Sequence, residues 1–478
     1  MERVRDWEAV GEWQKNVAAE NYRIRTEANV RVRLRWRRWF YDEVMTISEQ
    51  QNPQADFSLV LSFEDARRVV ENHAAGVATR GTETVDLLDA TERVLAEEIH
   101  ADRDFPPFPR ATRDGYAVRS ADLARLPATL NAIGEIKAGE KLVKAPVGVG
   151  PGQTVAIMTG APVPTGADAV VMVEYTSRRG ERIEIARSVA AGENIVARGA
   201  EAREGGVLLD RGARLNDAAI ALAASVGKAR LKVFQKPQVA ILSTGDELVG
   251  LEELPGPTEI RNSNTYSLAA QVKAAGGEPV LLPIAPDERA RLLELIKDGL
   301  QADLLVLTGG VSMGRYDLVE QVLAEMRAEF VFTGAKIQPG RPVVFGRVSC
   351  GAGTPAREGT SVPLLPKYFF GLPGNPVSTM VTFEIFARPM LQALAGMAPQ
   401  KLKFVHAKLK SEIRVKTGLK RFLPAILSGE YEDSVVELVP WQGSGDIAAT
   451  ARANCYIVIP SDRERIAAGE FVAIMMRH

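Results

Sequence analysis

Three apolar runs in this chain each give way to a glycine-bearing loop. Gln238-Val239-Ala240-Ile241-Leu242 leads into Ser243-Thr244-Gly245-Asp246-Glu247-Leu248. Leu304-Leu305-Val306-Leu307 leads into Thr308-Gly309-Gly310, followed by Ser312, Gly314 and Asp317. The run ending at Gly371 leads into Leu372-Pro373-Gly374-Asn375-Pro376. A short unbroken apolar run reads as a strand buried on both faces, which a parallel sheet covered by helices provides. In an open sheet of that kind, ligands bind outside the carboxyl ends of the strands. Glycine there frees backbone N–H groups to converge on an anion, and nearby carboxylates suit a hard cation.

The surrounding pattern extends this reading. Strands are expected over 238–243, 279–284, 303–308, 329–333, 342–346 and 367–372. Helices are expected over 264–275, 287–299, 316–327 and 376–394. That alternation predicts a doubly wound, mostly parallel α/β domain over residues 236–398. Residues 399–478 carry short alternating strands at 404–410, 421–427, 434–439 and 455–460, which suit a small β-barrel or sandwich. Residues 110–199 read as an inserted β-rich domain, with strands near 154–158, 168–174 and 182–187. It divides a discontinuous α+β region, 59–109 and 200–235. Ser62 and Asp65 resemble a capping box for a first helix; further helices are expected over about 90–99 and 217–226.

With 478 residues the chain is too long for one ordinary domain. Its net charge of −1 gives no global basic field for nucleic acid. No apolar run is long enough to span a membrane, and the charged first residues carry no secretory signal, so a cytoplasmic protein is expected. Residues 1–44 hold Trp7, Trp13, Trp36, Trp39 and an arginine cluster from Arg31 to Arg38. A membrane- or nucleic-acid-binding arm is one reading. A disordered extension, or sequence upstream of a start at Met45, is the preferred one, with residues 1–58 outside the folded domains. Cys350 and Cys455 form no metal-ligand pattern, and a reducing compartment fits. His73, His100, His406 and His478 all lie outside the glycine loops. Zinc hydrolysis, a Ser-His-Asp triad and a Cys-His nucleophile therefore lack their residues. Carboxylates, hydroxyls, backbone N–H groups and cations remain.

Read locally, each loop keeps a structural alternative. Glu247 is a candidate ligand or a solvated acid. Asp317 either ligates a cation or caps a helix. The glycines at 309, 310 and 314 suit close approach of a ligand, but the Gly-Lys-Ser/Thr end of a P-loop is missing. Arg341, in Gln338-Pro339-Gly340-Arg341-Pro342, offers a planar donor fork to an oxyanion or is a surface arginine. Asn375 is a helix N-cap with Pro376 at the first helical position, a ligand contact, or both. Asp287 reads as an N-cap. Asp114-Gly115 reads as a turn signal and Thr159-Gly160-Ala161-Pro162 as a loop.

Together these segments resemble the molybdopterin molybdenumtransferase family, which includes the E domain of gephyrin. The resemblance runs from about Leu61 to the C-terminus. It is carried by Arg113-Asp114-Gly115-Tyr116-Ala117, Ile157-Met158-Thr159-Gly160-Ala161-Pro162, Leu242-Ser243-Thr244-Gly245-Asp246-Glu247-Leu248, Gly309-Gly310-Val311-Ser312 with Asp317, and Gly371-Leu372-Pro373-Gly374-Asn375-Pro376, in family order. It implies a four-domain homodimer whose active site joins the α/β domain of one subunit to the inserted domain of the other. It implies magnesium-dependent insertion of molybdate into adenylylated molybdopterin with release of AMP. Asp114, Thr159, Glu247, Asp287 and Asp317 match functional positions. By the same resemblance Glu247, Asp317 and Glu201 are expected at the metal. Thr244, Gly245, Gly309, Gly310, Ser312, Gly314, Gly374 and Asn375 are expected to hold the substrate, with Arg341 at the oxyanion. The implied partners are the molybdopterin adenylyltransferase and acceptor molybdoenzymes. A scaffold of the same fold and an adenylyltransferase are the competing readings. The chain departs from the family at Glu201, where Asp is common, at Gln338, where Lys is common, and at Pro424, where Arg is frequent.

Overall fold

The computed structural model describes residues 59–139, 148–310, 318–349, 366–398 and 400–477. Ser312, Gly314 and Asp317, and the whole of residues 1–58, lie outside the described residues.

The apolar runs form the centre of a six-stranded sheet. Its order is Glu278–Leu281, Gln238–Ser243, Leu304–Thr308, Lys367–Leu372, Val344–Val348, Glu329–Phe332. The first four strands are mutually parallel, and Val344–Val348 runs antiparallel to both its neighbours. Alternate side chains supply two cores. Val239, Ile241, Leu304, Val306 and Phe370 pack under helix Asn264–Ala274 and the helix from Pro376. Ala240, Leu242, Leu305, Leu307 and Phe369 pack under Arg289–Gly299 and Leu318–Glu325. Both faces are covered, so the strands tolerate no polar alternation and the sequence shows none. The parallel register brings Ser243, Thr308 and Leu372 to one level, and their loops emerge together.

The helix expected over 376–394 is interrupted. Pro376–Thr382 and Arg388–Leu394 are α-helical, but Phe383–Ala387 forms a wider π turn. Pro389 explains the break, because it has no N–H for the carbonyl of Ile385 four residues earlier. The Arg67 guanidinium donates to that carbonyl instead. Arg67 comes from helix Phe63–Ala74, whose Phe63, Ala66 and Val70 join the same core. Ser62 caps this helix, its hydroxyl accepting from the Asp65 N–H at 3.0 Å.

Residues 90–99 are not a helix. Glu92 lies in the left-handed region at φ 64°. Leu95 then bridges Val233, and its N–H donates to Ala213 at 2.9 Å. Pairing with distant chain overrides a helical pattern that propensity alone favours weakly. The same region pairs Thr82–Asp86 with Arg230–Phe234, Ile99–His100 with Val207–Leu209, and Arg110–Ala111 with Ile195–Val196. Each ladder joins chain before residues 115–185 to chain after them.

Those intervening residues form a second six-stranded sheet, ordered Ala169–Met172, Gly115–Val118, Gln153–Ile157, Ala128–Ile136, Arg182–Ile185, Thr176–Arg179. Gly115 opens an interior strand rather than marking a turn. A Cβ there would sit 1.9 Å from the Val171 carbonyl oxygen, so the glycine serves close strand packing.

Toward the C-terminus, five strands close into a barrel. Lys420–Ser428, Val435–Leu438, Phe404–Leu409, Phe471–Met476 and Cys455–Ile459 pair in that order, and the last pairs with the first. Closure removes free sheet edges. Ile337–Gln338 adds to Lys420 and Arg421, tying the barrel to the segment just before Arg341.

Candidate functional site

The loops at the strand ends enclose a cleft of ≈ 460 Å³. Its wall includes Thr244, Glu247, Asn264, Gly309, Gly310 and Asn375. Gly309 and Gly310 have φ of 87° and 59°, which favour glycine. A Cβ on Gly309 would lie 2.3 Å from the Thr244 carbonyl oxygen, and one on Gly310 would lie 2.6 Å from Thr244 Oγ1. The Thr244 N–H donates to the Thr308 carbonyl at 3.0 Å. The two loops are therefore pressed together, and only glycine fits between them.

Thr244 is 2% exposed, and its Oγ1 has no hydrogen-bond partner among the described residues. Burying an unpaired hydroxyl costs stability, so such a group in a cleft wall points to a ligand. Asn264 adds a second group of this kind. Its Nδ2 donates to Thr308 Oγ1 at 3.0 Å and to the Gly374 carbonyl at 2.7 Å. Its Oδ1 is buried and unpartnered among the described residues. Just before it, Asn262 is buried, and its Nδ2 donates to Thr265 Oγ1 at 2.9 Å. The Ser243 hydroxyl completes that knot, 2.7 Å from Thr265 Oγ1. The start of helix Asn264–Ala274 is thereby fixed to the end of the central strand.

Asn262 and Asn264 escaped the sequence reading. Their signal was the run Asn262-Ser263-Asn264 at the start of a helix, which looks like any N-terminus. Asn375 does occupy the N-cap position with Pro376 first in the helix, but its side chain makes no capping bond. The cap reading is thus met in backbone only.

On the other side of Thr244, Gly245 has φ 140°, and a Cβ there would meet the Glu247 carboxylate at 2.4 Å. Asp246 Oδ1 accepts from the Asp287 N–H at 2.9 Å. Asp287 is not a helix cap, since its helix starts at Arg289 with Glu288 at the N-cap. Partial burial, then the charges of Asp246 and Glu247, push the Asp287 carboxyl above its ordinary value. Negative charge is concentrated at this end of the cleft.

The remaining expected residues fall elsewhere. Asp114 and Thr159 are brought together, exposed, in the inserted sheet: Asp114 Oδ1 accepts from the Thr159 N–H at 2.6 Å and its hydroxyl at 2.8 Å. Those two donors hold the Asp114 carboxyl below its ordinary value. Glu201 pairs with Arg110 at 2.5 Å. Arg341 is exposed, next to Pro342 in the cleft wall, and its carbonyl accepts from Ala335 and Val343. Among the described residues no three carboxylate, histidine or cysteine side chains form a ready-made metal cage.

Fold and site define an α/β unit with a polar cleft at its strand ends, set within a chain of several folded units. Comparison with known proteins narrows the class. Residues 61–227 match the MoeA N-terminal region (domain I and II), 240–393 a probable molybdopterin binding domain, and 406–476 the MoeA C-terminal region (domain IV). The molybdopterin molybdenumtransferase of a Nostoc species is 33% identical over 91% of this chain and 98% of its own length. That of Bacillus subtilis is 32% identical over 83% and 90%. A crystal structure of a molybdopterin biosynthesis MoeA protein from Pyrococcus horikoshii has TM-score 0.61 and 31% identity, covering 87% of this chain and 99% of that one. A second from the same organism has TM-score 0.67 and 29% identity, covering 87% and 100%. The chain belongs to the molybdopterin molybdenumtransferase family.

Proposed function

We propose that this chain carries out the last step of molybdenum cofactor biosynthesis, inserting molybdate into adenylylated molybdopterin with release of AMP. The observation that carries the reading is the cleft at the strand ends, where paired glycines adjoin a buried threonine hydroxyl that has no partner among the described residues. Gly309 and Gly310 let the Thr244 loop close against theirs, and Thr244 Oγ1 supplies a donor for a phosphate at that junction. The names of the relatives support the same activity.

The residues fit magnesium in a particular way. Mg²⁺ usually binds through one or two carboxylates plus substrate phosphates and waters, rather than in a protein cage. Glu247 in the cleft wall, with Asp287 behind it, supplies such a partial set, and the raised pKa of Asp287 reflects charge that a cation would relieve. Bound there, the ion would neutralise charge on the phosphate linkage that is broken. Glu247 and Asp287 orient it; Thr244 and the glycines orient the phosphates. Asp317, outside the described residues, follows the same loop in sequence and belongs to this proposal, as do Ser312 and Gly314. Arg341 is assigned to the incoming oxyanion. In this reading the protein is a cytoplasmic homodimer, and Asp114 and Thr159 complete the cleft of a second copy. No helix among the described residues is long and apolar enough to cross a membrane.

The test is AMP release from adenylylated molybdopterin by the full chain, with and without molybdate and Mg²⁺. Release that requires both supports the reading. No release by a folded dimer would contradict it and favour a scaffold of the same fold.

A further inference from the structure

We propose that Asn264 determines specificity in this cleft by accepting a hydrogen bond from an N–H or O–H group of the bound molecule. The inference rests on the function proposed above. Its starting point is an amide whose orientation is fixed. Asn264 Nδ2 has two acceptors, Thr308 Oγ1 at 3.0 Å and the Gly374 carbonyl at 2.7 Å. Flipping the amide would set Oδ1 against the Gly374 carbonyl, two acceptors face to face. Oδ1 therefore stays where it is, buried in the cleft-lining residue and without a partner among the described residues.

A fully ionised phosphate or molybdate offers only acceptor oxygens, so it cannot satisfy Oδ1. The group that does must carry a proton, as the organic part of a nucleotide- or pterin-bearing phosphate ester does. Thr244 Oγ1 is complementary. It too lacks a partner among the described residues, it lies against Gly310, and as a hydroxyl it can donate to a phosphate oxygen. The two loops are in contact, because a Cβ on Gly374 would lie 3.5 Å from Gly309 Cα. The wall thus carries a donor for the phosphate end and, across the glycines, an acceptor for the organic end. A site that hydrogen-bonds a substrate N–H or O–H discriminates strongly against ligands lacking it, since its own buried group is left unpaired.

The experiment compares two ligands on three proteins: wild type, Asn264→Ala and Asn264→Asp. Adenylylated molybdopterin and inorganic sulfate, an oxyanion with no proton to donate at neutral pH, are each titrated to a dissociation constant. The readout is the ratio of the two constants, which cancels losses common to both ligands, such as a general loosening of the loop at Gly374. In Asn264→Ala the ratio should rise about tenfold in disfavour of adenylylated molybdopterin, the worth of one hydrogen bond. Asn264→Asp keeps an acceptor but sets a second oxygen against the Gly374 carbonyl, so its ratio should rise less than that of Asn264→Ala. A ratio unchanged in Asn264→Ala would overturn the assignment, since Asn264 would then only brace the loop. So would an equal rise in Asn264→Asp. Wild-type protein that binds sulfate but not adenylylated molybdopterin would instead overturn the proposed function, and the wild-type titration alone reveals that.

Discussion

The cleft and the Asp114–Thr159 pair are built in opposite ways. In the cleft, strand register, positive-φ glycines and asparagine hydrogen bonds fix Thr244, Asn264 and the glycine loops, and two buried polar atoms have no partner among the described residues. The pair is exposed and satisfies itself, with both Thr159 donors ending on one Asp114 oxygen. A pre-formed cleft stores unfavourable burial that a ligand relieves. An exposed, self-satisfied pair stores almost none and merely holds a carboxylate in one orientation. The first region should therefore respond to substitution in both stability and activity, and the second chiefly in activity.

The sharpest break of that contrast is Gly309→Ala. The clash with the Thr244 carbonyl and the left-handed backbone should together cost about 2–4 kcal/mol, read from the urea midpoint. AMP release should fall at least about a hundredfold, ~2.7 kcal/mol of barrier. A variant as stable and active as wild type would show that the two loops are not pressed together. Next comes Glu247→Gln, which keeps shape but removes a charge. It should lower AMP release at least about tenfold, ~1.4 kcal/mol, and raise the magnesium concentration needed for half-maximal rate.

Thr244→Val is the subtler case. Its hydroxyl has no partner among the described residues, so the variant should melt at or above the wild-type temperature while binding substrate about tenfold more weakly. Weakened folding would mean that the hydroxyl is used within the protein. Asp114→Asn, in the other region, should lower the melting temperature at most slightly and still slow AMP release. Because Asp114 is held below its ordinary value, it stays ionised from about pH 5 to 8, and the pH–rate profile should show no inflection from it there.

The smallest effect belongs to Asp287. Its folded pKa is raised, so its contribution to stability is present below the ordinary carboxylate value and lost as pH rises through the raised one. Asp287→Asn should thus be slightly more stable than wild type at pH 7 and equal to it below about pH 3.5. Solvent screening limits the gain to roughly a few tenths of a kcal/mol. A loss of stability at pH 7 would contradict the charge crowding described here.

What could be read from the chain beforehand follows a physical rule. The central strands declare themselves because burial on both faces leaves continuous apolar runs such as Leu304–Leu307. The glycine loops declare themselves because a sterically required glycine stands out. Residues 90–99 misled because Leu95 is decided by Val233, and a helical pattern carries no trace of a partner that far away. Asn264 was illegible for a related reason. Its residue type is that of an ordinary helix start, and its meaning depends on the Gly374 carbonyl, 110 residues on. Gly115 was legible as a glycine but not as a strand residue, since Val171 supplies the crowding. Pattern reports how residues are spaced along the chain; the site is made by pairs that spacing does not encode.

The most direct test of the two-region account is complementation. Glu247→Gln removes the cleft carboxylate and Asp114→Asn removes the exposed one, so neither homodimer has an intact site. Co-expressed with different tags in equal amounts, half the dimers are mixed, and each mixed dimer regains one of two sites if the regions act between copies. The mixture should then recover about a quarter of wild-type AMP release, the product of those two halves. Activity no higher than the average of the two single variants, in a preparation shown to contain mixed dimers, would contradict the claim that the cleft of one copy is completed by Asp114 of the other.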